Sequence, residues 1–268
     1  FLWIHVENDL NSRNWESFNS RSNREVNKPY MFYSIKSIIT KCEKTFNIFL
    51  IDDTSFDKLI NDWNINLKAV DVTTRQKIRE FALSKILYIY GGMMVPPSFL
   101  CMRNLKDIYY KNINKNGMFV CEKHDNTSYV TQTRFIPDNT FMGCKKNSPN
   151  MLEYIKYYET MISNDYTSES NFKDLPNKFL SNMVNDKKIS LVEGKMIGIK
   201  DINNDLVKIN NLFETKYIEF EDEFYGIYIP DKEITKRSNY NWFLKVSIQD
   251  LLESEMIISK YMLTSNEN

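Results

Sequence analysis

The stretch Leu87-Tyr-Ile-Tyr-Gly-Gly-Met-Met-Val-Pro-Pro-Ser-Phe-Leu100 holds two of the chain's 7 glycines and two of its 7 prolines. The residues before it, from about Arg75, place Ile78, Phe81, Ala82, Ile86 and Ile89 at helical spacing, and Leu83, Leu87 and Tyr90 widen that apolar face. A mostly buried helix is therefore expected, with Asp71 to Thr74 as its N-terminal cap and Gly91 as a left-handed stop. Met93 to Val95 then reads as a short inner strand. Pro96 ends it, because proline brings no N–H to a sheet ladder, and Pro96 to Ser98 are expected at an exposed strand end.

Outward from this hinge, strands alternate with helices. Leu2 to Val6 is a β-branched and aromatic run that stops at polar Glu7-Asn8-Asp9, and Phe46 to Ile51 stops at Asp52-Asp53-Thr54. The residues from Met31 to Cys42, and from Pro149 to Met161, have helical periodicity. Further strands are expected at Gly117 to Cys121, Phe141 to Cys144, Ile189 to Val192 and Ile227 to Pro230. This alternation predicts an α/β fold, a mostly parallel sheet flanked by helices. With 268 residues and no Pro/Ser-rich linker, composition shift or repeat, one domain is expected.

Composition narrows the function classes. Lys+Arg and Asp+Glu balance at 35 each, so nucleic acid is not an expected partner. The cluster Arg21, Arg24 and Lys28 reads as a solvated helix face. No apolar run reaches the roughly 20 residues of a membrane helix. Cys42, Cys101, Cys121 and Cys144 are far apart and form no CxxC pair, which argues against zinc and for reduced, partly buried thiols in a cytosol-like compartment. The chain begins at Phe1, so the reading leaves room for a signal or anchor segment ahead of it. One glycosylation sequon, Asn126-Thr127-Ser128, occurs at a frequency close to chance. Abundant Asn, Ile, Lys and Tyr with scarce Ala and Gly suggest an AT-rich coding genome, as in some large DNA viruses and protozoa.

The helix ending Ile-Leu-Tyr-Ile-Tyr-Gly-Gly, followed by an apolar strand, resembles the signature of DxD-bearing sugar transferases of the yeast α-mannosyltransferase and capsular polysaccharide synthesis types. The opening LWIHV, NIFLIDDTSF, GMFVCEKHD and FIPDNTFMGCKKNSPNMLEYIKYY resemble successive segments of the same family, so the likeness runs in order from Phe1 to Met161. It implies a GT-A-like, Rossmann-like single domain. Residues 1–161 would be the nucleotide-sugar half and residues 162–268 a less regular acceptor side.

The departures fall on the chemistry. Glu80 stands at the family's first acid and Leu83 at its arginine; Pro96 and Ser98 stand at the two aspartates that hold Mn²⁺ or Mg²⁺ against the diphosphate. Proline has no side-chain ligand and serine offers only a neutral oxygen, whereas a hard cation requires anionic oxygens. The resemblance therefore implies a degenerate DxD motif and no bound metal, Mn²⁺ or Mg²⁺ being the disfavoured alternative. His5, Asp52, Asp53, Glu80 and Ser98 are the nucleotide-sugar-binding candidates, and Asp138 is the one catalytic candidate, as a base.

Each candidate has a plainer reading: His5 as a core histidine bound to a carbonyl, Asp52 and Asp53 as helix caps, Glu80 as a buried acid that must have a partner. His124 lies in a polar loop, and the aromatic run Tyr240 to Val246 reads as core closure. Two functions follow. The first is a non-catalytic, virion-incorporated or otherwise structural module that binds a nucleotide-sugar, a glycan or protein partners. The second is an active, metal-independent transferase in which Arg79, Lys85, Arg103 or Lys195 converge on Pro96 to Ser98.

Overall fold

The computed structural model describes residues 1–7, 28–125, 134–164, 175–236, 238–240 and 242–267. Arg21, Arg24 and the sequon at Asn126 lie outside the described residues. In chain order the elements are β1 (Leu2–His5), α1 (Pro29–Cys42), β2 (Ile48–Ile51), α2 (Phe56–Leu59), α3 (Val72–Tyr90), β3 (Gly92–Met94), β4 (Phe99–Cys101), α4 (Lys106–Asn116), β5 (Met118–His124), β6 (Phe135–Cys144), α5 (Pro149–Ser163), α6 (Leu175–Asn185), β7 (Ser190–Val192), α7 (Ile209–Phe213), β8 (Gly226–Tyr228), α8 (Asp231–Lys236), α9 (Ile248–Glu253) and α10 (Ile257–Ser265).

The chain forms two compact units that interleave in sequence. The first gathers Phe1–His5, Phe46–Val95 and Lys106–Gly194; the second gathers Val6–Thr45, Pro96–Leu105 and Lys195–Asn268.

The first unit holds a six-stranded sheet in the order β2-β1-β3-β6-β5-β7. Three of its pairings, β1 with β2, β1 with β3 and β5 with β7, are parallel, and the two made by β6 are antiparallel. The fold is thus the expected α/β one: a mostly parallel sheet with helices packed on it, and the strand after the double glycine inside it. Its core joins Trp3, Ile51 and Phe56 to Ile78, Phe81, Ala82, Ile86 and Leu87 of α3 and to Met151, Tyr154 and Tyr158 of α5.

The glycines create this arrangement. The Gly91 N–H closes α3 on the Leu87 carbonyl at 2.8 Å, and the Trp3 indole donates to the Gly91 carbonyl at 3.0 Å. Both glycines have left-handed φ, +74° and +98°. A β-carbon on Gly92 would sit 2.3 Å from the Phe1 carbonyl oxygen, and one on Gly91 would sit 2.8 Å from the Lys146 nitrogen. Only glycine lets β3 start at once after the helix and lie this close to β1.

The second unit carries the two-stranded antiparallel sheet β4-β8 and a separate core around Tyr30, Leu100, Ile227, Phe243 and Met262. Phe243, in the aromatic run read as core closure, is fully buried and stacks on Tyr30 with ring centroids 5.0 Å apart. No helix among the described residues is long and apolar enough to cross a membrane.

Gly117 has a similar φ of +71°, but nothing lies within 4 Å of a β-carbon there. Gly117→Ala should therefore cost only the backbone term, about 1 kcal/mol. Gly92→Ala adds a backbone collision and should cost distinctly more, about 2–4 kcal/mol. Chemical denaturation of the two variants measures the difference, and equal midpoints would refute this account of the hinge.

Candidate functional site

Polar side chains of the first unit gather along the N-terminal half of α3. At the end of β1, His5 is 8 % exposed, and its ring stacks on Phe56 with centroids 5.4 Å apart. Its Nε2 lies 3.1 Å from Oδ1 of Asp53. Asp52, just after β2, is a helix cap: its carboxylate accepts from the Thr54 N–H at 3.0 Å, and the Ser55 hydroxyl receives the Asp52 N–H in return. Asp53, the next residue, points instead at α3. Arg79 Nε donates to Oδ1 at 2.8 Å and its Nη2 to Oδ2 at 2.5 Å, a two-pronged ion pair with Arg79 5 % exposed. Burial alone would raise the Asp53 carboxyl. Hydrogen bonds from His5 and Arg79, with the Arg79 charge, outweigh burial and hold it at about 2.

Glu80, one residue on, faces the other way. Its Oε2 accepts from Lys77 Nζ at 3.0 Å, from Asn139 Nδ2 at 3.0 Å and from the Tyr158 hydroxyl, while Gln76 Nε2 donates to Oε1 at 3.3 Å. The Asn139 amide also donates to the Tyr154 hydroxyl at 3.2 Å. Burial first, and the Glu80 charge second, push both phenols up, so they stay protonated. Glu80 is 8 % exposed, and Lys77, at 7 %, supplies its countercharge. A buried acid ringed by donors is fixed in place; its lone pairs are committed within the fold.

Asn139 reaches Glu80 through an irregularity in the sheet. On β6, residues 139–141 stand between Asp138, paired with Cys121, and Met142, paired with Val120, although Cys121 and Val120 are adjacent. Such a bulge re-aims side chains. Asp138 emerges on the Lys123 side, with Nζ 3.5 Å from its Oδ1 and the Thr140 hydroxyl donating to its Oδ2. It is 4 % exposed. His124 ends β5 with its ring 6.0 Å from that of Phe135.

The sequence candidates therefore separate. His5 and Asp53 meet, joined by Arg79, which the sequence reading placed among the basic side chains converging on Pro96 to Ser98. Asp52 caps. Glu80 and Asp138 belong to two different hydrogen-bonded groups. Lys77, Asn139, Tyr154 and Tyr158 were not picked from the sequence. Tyr154 and Tyr158 are four apart on α5, hence on one helix face, and that spacing was the available signal.

Ser98, the last candidate, lies in the second unit and requires a correction. Pro96 and Ser98 were expected at an exposed strand end, but both are buried, Ser98 to 3 %. The Phe99 N–H closes on the Pro96 carbonyl at 3.0 Å, a β-turn with Pro97 at its second position, where proline's fixed φ fits. The Ser98 carbonyl receives the Ile229 N–H at 3.2 Å, continuing the β4-β8 ladder. These residues do not fit a metal: one has no donor and the other is a buried neutral hydroxyl.

The four basic candidates are engaged elsewhere. Arg79 holds Asp53, Lys85 pairs with Glu159 at 3.2 Å, Arg103 donates to the Asp222 carbonyl at 2.5 Å, and Lys195 pairs with Glu221 at 3.1 Å.

No protein-family model matches this chain, and no curated protein matches it. Among solved structures, PaToxG Glycosyltransferase is similar to it with a TM-score of 0.42 and 13 % identity, over 69 % of this chain and 68 % of that one.

Two outcomes follow. Because the Asp53 carboxyl is lower folded than unfolded, its contribution is complete above about pH 4 and is lost as pH falls through about 2. Asp53→Asn should remove that acid limb and cost about 3 kcal/mol at neutral pH, since Arg79 stays buried without its anion. Urea midpoints of both proteins from pH 2 to 7 test it; parallel curves would count against the pair. Second, Pro96→Asp with Ser98→Asp puts two carboxylates into buried positions. It should lower the melting temperature by roughly 10 °C or more, and a melt equal to the parent's would contradict the assigned burial.

Proposed function

We propose that this protein is a glycosyltransferase-like module that has lost metal-dependent transfer and acts by binding or as a structural part of an assembly. The observation that carries the reading is the turn Pro96 to Phe99. In the resembled family this position bears the two carboxylates that hold a cation against the diphosphate. Here it supplies no anionic oxygen, and its backbone is used by the second sheet. A metal that neutralises the departing diphosphate has no ligands at this place.

The remaining candidates support the same reading by what they already hold. Glu80, at the family's first acid, is saturated by Lys77, Gln76, Asn139 and Tyr158. Leu83 replaces the family's arginine, and Arg79 is bound to Asp53. What is left to meet a ligand is the His5–Asp53 couple at the C-terminal ends of β1 and β2, the end of a parallel sheet where ligands bind in open α/β folds. A permanently ionised Asp53 orients the imidazole and accepts hydrogen bonds, a recognition role suited to the hydroxyls of a nucleoside or sugar. The ligand class is accordingly a nucleotide-sugar or a glycan. The AT-biased residue usage supports a large DNA virus as the source, with the virion as the assembly.

Calorimetric titration with UDP- and GDP-sugars, with and without Mn²⁺, tests the proposal. Mn²⁺ should leave any affinity unchanged, and no nucleotide should be released over hours. A tenfold gain with Mn²⁺, about 1.4 kcal/mol, or nucleotide release above a protein-free control, would overturn it.

A further inference from the structure

The four cysteines are distant in sequence, but the fold of the second unit brings two of them together. Cys42 is in the last turn of α1, and Cys101 is the last residue of β4; both are fully buried. Three hydrogen bonds fix the helix against the end of the strand. The Cys101 N–H donates to the Ser37 hydroxyl at 2.8 Å. The Asn104 amide donates to the Lys41 carbonyl at 2.8 Å and to the Thr45 hydroxyl at 2.9 Å. Within that frame the Cys42 and Cys101 side chains are neighbours close enough to act on each other, and the Cys101 thiol donates to the Arg103 carbonyl at 3.0 Å.

We propose that Cys42 and Cys101 are an oxidisable pair that forms a disulfide between α1 and β4 in the folded protein.

The local chemistry divides the roles. The neighbouring Cys101 side chain, opposed by burial and helped by the Leu105 N–H, brings the Cys42 thiol below its ordinary value. Burial first, and Cys42 next, push the Cys101 thiol up. Cys42 is therefore the more readily ionised of the two and the attacking group. With a hydroperoxide as oxidant, Cys42 sulfur takes the terminal peroxide oxygen, the O–O bond breaks, and a sulfenic acid and one water or alcohol result. Cys101 sulfur then attacks Cys42 sulfur, the S–O bond breaks, and hydroxide leaves with the Cys101 proton as a second water. Two thiols lose two electrons in all, and one peroxide gains them. Access follows from the position: Glu43, Lys44 and Thr45, directly after α1, are exposed, and fraying of one helical turn admits a small oxidant. The other two cysteines differ. Cys144 donates to the Leu87 carbonyl at 3.2 Å, and burial pushes it up to about 12; Cys121 is raised by burial and then by the Asp138 charge.

The test uses the full chain. It is treated with hydrogen peroxide at native pH, unfolded with iodoacetamide, digested and mapped by mass spectrometry. The expected product is the linked Cys42–Cys101 peptide pair, with Cys121 and Cys144 alkylated. Four alkylated cysteines, or a link between any other two, would overturn the proposal. A second readout needs no variant. The bond closes a long loop, so the oxidised protein should melt roughly 5–15 °C above the dithiothreitol-treated one. Melting at or below the reduced protein would show that the bond does not fit the native fold. Cys101→Ser should abolish the shift and leave Cys42 as a sulfenic acid trapped by dimedone; a shift that survives the substitution would also overturn it.

Discussion

The first unit depends on the contact between the Gly92 backbone and the Phe1 carbonyl. At that distance a side chain collides with main chain, and main chain cannot step aside. The contact seats β3 beside β1, with Met93 N–H on the Phe1 carbonyl and Val95 N–H on the Trp3 carbonyl, and leaves the other side of β3 for β6. A β3 displaced from this place would separate β2 and β1 from β6, β5 and β7. The same turn anchors the C-terminal end of α3, so the register of that helix is set there. Arg79 and Glu80, twelve and eleven residues before Gly91, inherit their positions from a turn with no functional atom in it.

From that register two acids take opposite roles. Asp53 meets Arg79 on one side of the helix and Glu80 meets Lys77 on the other, so adjacent residues of one helix serve two separate charge groups. Each group is close to neutral, as burial demands. The difference lies in the surroundings. Glu80 is enclosed by phenol and amide donors from α5 and the β6 bulge. Asp53 sits at the strand ends, its side chain 28 % exposed, with an imidazole beside it. Exposure leaves Asp53 as the more available of the two for recognition.

The fold was largely legible because its signals are local. The 3.6-residue period of α3, the glycine stop and the β-branched runs of β1 and β2 each need only a few neighbouring residues. The site was legible only in part, because partners were chosen across the fold. Nothing near Asp53 in sequence distinguishes a cap from an ion-pair acceptor, and Asp52, with the same chemistry, became the cap. Asn139 escaped notice because a bulge decides where it points, and a bulge of three residues leaves no period to read. The burial of Pro96 and Ser98 was missed for a related reason: β4 is three residues long, and its pairing with β8 joins residues more than a hundred positions apart.

That pairing changes what the two prolines signify. Under the resemblance, they stand where the family's carboxylates would be. As a structure, they are the point where the chain leaves the first unit at Val95 and enters the second at Pro96. Pro97 preorganises the turn, because its φ is fixed before folding, and the Ser98 carbonyl begins the ladder that Phe99 to Cys101 continue. An aspartate in either place would have to remain ionised in a buried turn to hold a cation. The turn is thus held by main-chain bonds and a preset φ, and its buried positions favour side chains without charge.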